Sequence, residues 1–306
     1  MTYDKPPLSY EELADILIAR GMMVDRSELI EKLRSVSYYR LSGYWYPFRM
    51  RDVNNPKLKL DTFEPGTEFG VVWQRYQFDH DLRLIVLSAI EPIEIAVRTI
   101  LAHEHSINYG PFAYATDDKS LPYAEPERLL QFRQAIDDER ERSRERFVEH
   151  FREKYGDQHE HLPVWMAAEL MSFGSVLTMF RSSDVTLKRA VADRYYVSHQ
   201  VFESWFRTLH AVRNICAHHG RLWNRELGVK PSIPRDQRWH VPVRVEPRRV
   251  FGVLTICKWC CDCIDAKHNW GKKIQALLQR YPGIPSGDMG IPNEWLTSPL
   301  WVRTAP

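Results

Sequence analysis

Long uncharged apolar runs are missing from this chain. No stretch approaches the roughly 18 residues needed to cross a bilayer, and the first residues show no charged-then-apolar leader pattern. A membrane span is therefore not expected, and a cytoplasmic protein is. Cysteine is scarce and odd in number, five in 306 residues, with four crowded into Cys257-Lys258-Trp259-Cys260-Cys261-Asp262-Cys263. That crowding does not suit a secreted disulfide framework. Nor can one helix easily wrap four thiolates around zinc, so these residues are expected to be buried structural cysteines. His159-Glu160-His161 lacks a third ligand and reads as loop, which leaves no metal or cofactor to expect. Net charge is almost absent: 42 Lys+Arg against 40 Asp+Glu leave +2, too little to announce a nucleic-acid binder by itself. Convincing β alternation and internal repeats are also lacking, and the remaining fold class is nearly all α.

What is present is a globular composition, 44% hydrophobic, 27% charged and 12% aromatic, in a length that suits one large domain or two modest ones. Ser9-x-x-Glu12 and Asp25-x-x-Glu28 read as capping boxes, each ahead of apolar residues at helical spacing. Two short helices here would make a DNA-binding helix-turn-helix. The second, however, carries Glu28 and Glu31 where a recognition helix wants basic or amide groups, and a packing module fits better. Tyr38 to Phe48 holds six aromatics in eleven residues, a cluster that would build core or stack on RNA bases; core is the preferred reading. Residues 51–66 read as a loop and set the domain boundary, dividing the chain into an N-terminal helical and aromatic module (1–66) and a helical domain (67–306).

From about Phe69 the pattern becomes long and helical. Leu82 to Leu101 is apolar on most of its circumference, with a bend expected at Pro92. Glu91, Glu94, Arg98 and His105 form a narrow polar stripe on it, in which Glu94 and Arg98 pair internally or wall a polar cleft. Residues 110–124 read as loop, and Glu125 to Lys154 as an exposed helix laced with charge pairs. A buried helix follows through Phe173 with Pro163 at its first position. Helices are also expected at 185–197 and 199–219. A Pro/Gly-rich C-terminal strap carrying Trp295 and Trp301 closes the chain.

The densest chemistry lies in Val212 to Arg225. Trp205, Leu209, Val212 and Cys216 form a buried stripe, and Arg207, His210, Asn214 and His218 cluster opposite, with Gly220 as the helix stop. Asn214 and His218 are i,i+4 neighbours whose side chains can meet, and Arg213 can reach over from the edge. Downstream, Arg221 to Arg249 carries eight Lys/Arg against three acids, a basic arm. A histidine and an arginine beside an asparagine suit RNA cleavage by the 2′-hydroxyl. That reaction needs a group titrating near neutrality and a fixed cation for the phosphorane, and no metal, because the substrate supplies the nucleophile. The assigned roles are proton transfer for His218, the scissile phosphate for Arg213, and orientation for Asn214. Arg221, Trp223 and Arg225 offer phosphate contacts and a stacking ring to RNA. His219 is at most supporting, since it lies about 100° beyond His218. One motif supplies one histidine, so a homodimer is expected to supply both acid and base.

Arg213-Asn214-x-x-x-His218 resembles the R-N-x-x-x-H signature of HEPN ribonucleases. Its extension through Ala217-His218-His219 and Leu222-Trp223-Asn224-Arg225 is similar to the Abi family of bacterial abortive-infection proteins, of the AbiD/AbiF type. Further similar blocks are Tyr38 to Trp45, Phe78-Asp79-x-x-Leu82-Arg83, Glu91 to Arg98, Leu162-Pro163-x-Trp165-Met166 and Ser172-Phe173-Gly174. The resemblance implies a HEPN-type helical bundle, metal-independent RNase activity, and a toxin or phage-defence role, for which an RNA or protein antitoxin is a candidate partner. Glu94 and Arg98 match a family block and are carried as supporting residues. The competing expectation is a non-catalytic RNA-binding or regulatory module, since one fold hosts many functions.

Overall fold

A computed structural model describes residues 6–267 and 269–302. Fourteen α-helices and one two-stranded sheet are found among the described residues, an all-α architecture. None of the described helices is long and apolar enough to cross a membrane. The chain divides into two compact units, Met1–Leu82 with Ala276–Pro285, and Arg83–Gln275 with Ser286–Pro306. This division differs from a boundary in the 51–66 loop. The first turns of the long helix pack with the aromatic cluster and so belong to the first unit.

In that unit, α1 (Tyr10–Ala19) opens on the expected capping box, Ser9 accepting from the Glu12 N–H and Glu12 accepting from the Ser9 N–H at 2.7 Å. The Asp25 carboxylate caps α2 (Arg26–Ser35) through the Glu28 N–H. The aromatic cluster winds into α3 (Tyr38–Trp45), where Tyr44 and Trp45 are buried. The Tyr44 hydroxyl donates to the buried Asp79 carboxylate at 2.6 Å, and its ring meets Tyr76 edge-on at 5.5 Å. Core packing is thus the role of Tyr44 and Trp45, whereas Tyr39 is 89% and Tyr46 50% exposed. The expected loop is entered from β1 (Arg49–Arg51) and contains β2 (Lys59–Phe63), the two strands paired antiparallel. Tyr281 closes the unit, its hydroxyl donating to Asp81 at 2.8 Å.

The long helix α4 (Phe69–Tyr109) runs past Pro92 without ending there. In the second unit it is followed by α5 (Ala113–Thr116), α6 (Pro126–Arg142), α7 (Arg146–Tyr155), α8 (Val164–Leu170), α9 (Phe173–Ser182) and α10 (Val185–Asp193). Next come α11 (His199–Ala217), α12 (Val250–Ile264), α13 (Trp270–Arg280, whose last turns belong to the first unit) and α14 (Pro299–Val302). The helix expected over Glu125 to Lys154 is broken in two, and the one expected through Phe173 stops at Leu170, with a further helix starting at Phe173. Extended residues Ser143 and Glu145 separate α6 from α7. Extended Met171 ends α8, and the Ser172 hydroxyl caps α9 through the Ser175 N–H. Pro163 stands at the N-cap of α8 rather than at its first helical position.

Helix α12 is the buried centre of this unit, with Val250 through Asp262 all shielded. Its thiols are packing groups: burial pushes Cys257 and Cys260 well up and Cys261 to about 12. Lys258 and Asp262 pair at 2.6 Å in the same shielded surface, which compensates the cost of burying either charge alone. Trp301 stacks on Phe251 at 5.8 Å and meets Trp295 edge-on at 4.6 Å, so the C-terminal strap lies over α12.

Candidate functional site

Helix α11 starts on the Ser198 hydroxyl, which accepts from the Val201 N–H. Its apolar stripe buries Phe202, Trp205, Leu209, Val212 and Cys216. Burying that stripe fixes the rotation of the helix, and His210, Arg213 and Asn214 are left half-buried on the other side while Arg207 and His218 are exposed.

How α11 ends differs from the glycine-stop expectation. His218 is the C-cap, and the left-handed residue after it is His219 at φ 58°, not Gly220. The His219 N–H donates to the Cys216 carbonyl at 3.0 Å and the Gly220 N–H to the Ile215 carbonyl at 2.7 Å, which satisfies carbonyls otherwise orphaned at the helix end. Gly220 is needed for close approach: a Cβ there would sit 3.1 Å from the Ile215 carbonyl oxygen. After this bend Leu222 and Trp223 turn into the interior, both fully buried. Trp223 therefore presents no ring for base stacking, which corrects that expectation; a large aromatic ring gains more from the core than from solvent. Arg225 Nε donates to the Arg221 carbonyl at 2.7 Å, and both side chains are partly exposed.

Facing this helix, α4 contributes Glu94 and Arg98, paired at 2.7 Å with each side chain 16% exposed. The same Arg98 Nη2 donates to the Met171 carbonyl at 3.0 Å, tying α4 to the bend between α8 and α9. Glu91, Glu94, Arg98 and Arg213 form the polar wall of an open cleft of 530 Å³, and its apolar ledge includes Leu84 and Ile95, each about half exposed. Burial raises the Glu94 carboxyl above its ordinary value, and the charges of Arg98 and then Arg213 offset part of that rise. The Arg213 guanidinium thus acts on the carboxylate of α4 as well as on its own helix.

Asn214 turns away from the histidine expected to use it. Its Oδ1 accepts from Arg213 Nη1 at 3.4 Å, and its Nδ2 lies 3.3 Å from His210 Nε2. His210 is seated on Phe173, ring centroids 5.3 Å apart and tilted by 33°. Burial, and then the Arg213 charge, push His210 below its usual value. Among the described residues, the His218 side chain has no hydrogen-bond partner, and it lies about 7 Å further along the helix axis than Arg213.

Of the residues singled out in the sequence, Arg213, Asn214, Glu94 and Arg98 come together. His218 stays exposed beyond them, and His219 serves the backbone bend. His105 leaves the stripe: it is fully buried against Tyr109, with ring centroids 5.3 Å apart. His210 is the residue that the sequence reading placed on the polar face and passed over. Its signal was the four-residue spacing to Asn214, the same as that from Asn214 to His218.

No curated protein and no solved structure matches the chain. The model of a family described as Abi-like protein matches residues 31–224, which include α4, the α8–α9 bend and all of α11. The chain belongs to this Abi-like family, a membership that points in general terms to abortive infection and phage defence.

Proposed function

We propose that this protein is a HEPN-type, metal-independent RNA endonuclease that acts as the effector of an abortive-infection response. One observation carries the reading: Arg213, bonded to Asn214, faces an open cleft beside the Glu94–Arg98 pair, with an exposed histidine one turn beyond. Arg213 holds the scissile phosphate and stabilises charge on the phosphorane, with Arg98 beside it in the same wall. A base removes the 2′-hydroxyl proton, the 2′-oxygen attacks phosphorus, and an acid returns a proton to the departing 5′-oxygen. The products are a 2′,3′-cyclic phosphate and a 5′-hydroxyl end. His218, a solvent-exposed imidazole one turn beyond Arg213, is the proton carrier. A second copy of the chain supplies the second histidine, making the working form a homodimer.

A non-catalytic RNA-binding module is the second reading, favoured by the orientation of Asn214 toward His210 rather than His218. Purified protein incubated with single-stranded RNA in EDTA separates the two. The nuclease reading expects cyclic-phosphate ends and loss of at least about 100-fold in rate for Arg213→Ala and for His218→Ala. Binding without cleavage by the wild type overturns it in favour of the module.

A further inference from the structure

The geometry points to His210 as the positioning residue that sets the amide orientation of Asn214 and, through it, the placement of Arg213 in the cleft. Arginine only donates hydrogen bonds, so the Asn214 atom facing Arg213 Nη1 at 3.4 Å has to be the carbonyl oxygen Oδ1. The amide nitrogen Nδ2 then faces His210 Nε2 at 3.3 Å, and because Nδ2 only donates, Nε2 has to accept. His210 is therefore neutral with its proton on Nδ1. An Nε2-protonated ring would set two donors face to face. Asn214 would relieve this by flipping its amide, and the flip would present Nδ2 to the Arg213 guanidinium, again donor against donor.

The surroundings hold this state. Phe173 fixes the plane of the imidazole, and a Cβ on Gly174 would stand 3.6 Å from Nε2, so α9 closes on that edge of the ring. Phe173 and Gly174 bring no titratable group from α9. The charged group acting on His210 is Arg213 of its own helix, whose positive charge opposes protonation, as burial does. Two histidines on one helix face thus divide the work. His210 stays neutral and orients, while His218 is exposed and available to move protons.

Nitrogen NMR of the imidazole rings in the intact protein tests the tautomer, with the His210 signals identified by their loss in His210→Gln. The expected result is one neutral form with the proton on Nδ1, persisting to a pH below that of an ordinary histidine. An Nε2–H tautomer, or titration near 6.5, about the unperturbed value, overturns the inference. This measurement does not depend on nuclease activity, although the functional consequence rests on the cleft reading.

Kinetics supply the second arm. His210→Leu removes the acceptor and is expected to lower kcat about tenfold with little change in KM. His210→Gln offers Oε1 to Asn214 and is expected to restore most of the rate, with melting temperature measured on both. Equal rates in His210→Leu, His210→Gln and wild type overturn the positioning role and leave the nuclease reading standing. A wild type that cleaves nothing defeats the nuclease reading and leaves the tautomer to be judged by NMR.

Discussion

Single side chains here show how burial decides what a titratable group does. His105 and His218 are separated by their environment alone. His105 is fully buried, and neither of its ring nitrogens has a hydrogen-bond partner among the described residues. Burial lowers its value to about 4, opposed in part by the Asp184 charge. The unfolded chain takes up that proton near 6.5, so the associated stability is fully present above 6.5 and is lost as the pH falls toward 4. Across that window the loss amounts to about 3 kcal/mol. His105→Leu is expected to remove this acid slope and to raise stability at neutral pH by about 1–2 kcal/mol, because an unpaired polar ring is replaced by an apolar group. Chemical denaturation at pH 7 and pH 5 checks both statements. An unchanged slope would assign the acid sensitivity to another group.

At the scale of elements, the helices carry two different kinds of constraint. Helix α11 is organised by one buried stripe, which leaves its other face open for chemistry. Helix α12 has no open face, and the chain before it closes directly upon it. Gly252 shows how closely: an added Cβ would meet the Glu246 carbonyl oxygen at 2.7 Å and the Pro247 Cα at 3.6 Å. Gly252→Ala therefore requires the 246–247 backbone to retreat, and the expected destabilisation is about 1–3 kcal/mol despite the better helix propensity of alanine. Thermal unfolding of this variant reads the effect. A gain in stability would mean that the arm gives way without cost. The ion pair between α4 residues Glu94 and Arg98 works at the same scale, since Arg98 also binds the α8–α9 bend through the Met171 carbonyl at 3.0 Å. Cutting it would loosen the tie between the α4 wall of the cleft and the α8–α9 bend.

For the whole molecule, the decisive quantity is the distribution of charge rather than its sum. The formal net charge is only +2, and the arm from Arg221 to Arg249 concentrates an excess of five cations. The three acids of the arm are each matched to one of its eight cations, Asp236 to Arg238 at 2.7 Å, Glu246 to Arg244 at 3.3 Å and Glu226 to Arg248 at 3.7 Å, so the excess of five lies in the other cations. Lys230 and Arg235 are exposed and carry no acid within pairing distance among the described residues. RNA affinity should accordingly fall with salt, and Lys230→Ala and Arg235→Ala should each reduce the slope of log K against log salt by about 0.7. Titration of single-stranded RNA at several salt concentrations measures this. Slopes equal to that of the wild type would move the RNA path away from the arm.

Much of this was legible in the chain because its signals are local. The Ser9 box, the Asp25 cap and the apolar stripe of α11 each involve residues within a turn or two, and such patterns act before any distant contact forms. Arg213 and the Glu94–Arg98 pair were recognisable for the same reason: unpaired charge on a mostly buried helix is costly, and a four-residue spacing offers the remedy. What spacing leaves equal, only tertiary structure decides. Asn214 stands four residues from His210 and four from His218, and nothing within the helix distinguishes the two. Phe173 and Gly174, brought against the helix from α9, seat His210 beside it. Trp223 looked like a surface ring beside two arginines until the left-handed bend at His219 led it into the core. Sequence alone determined the helical class and the chemical groups that the helices carry. Tertiary packing chose which of those groups met, because burial and partner geometry depend on residues far apart along the chain.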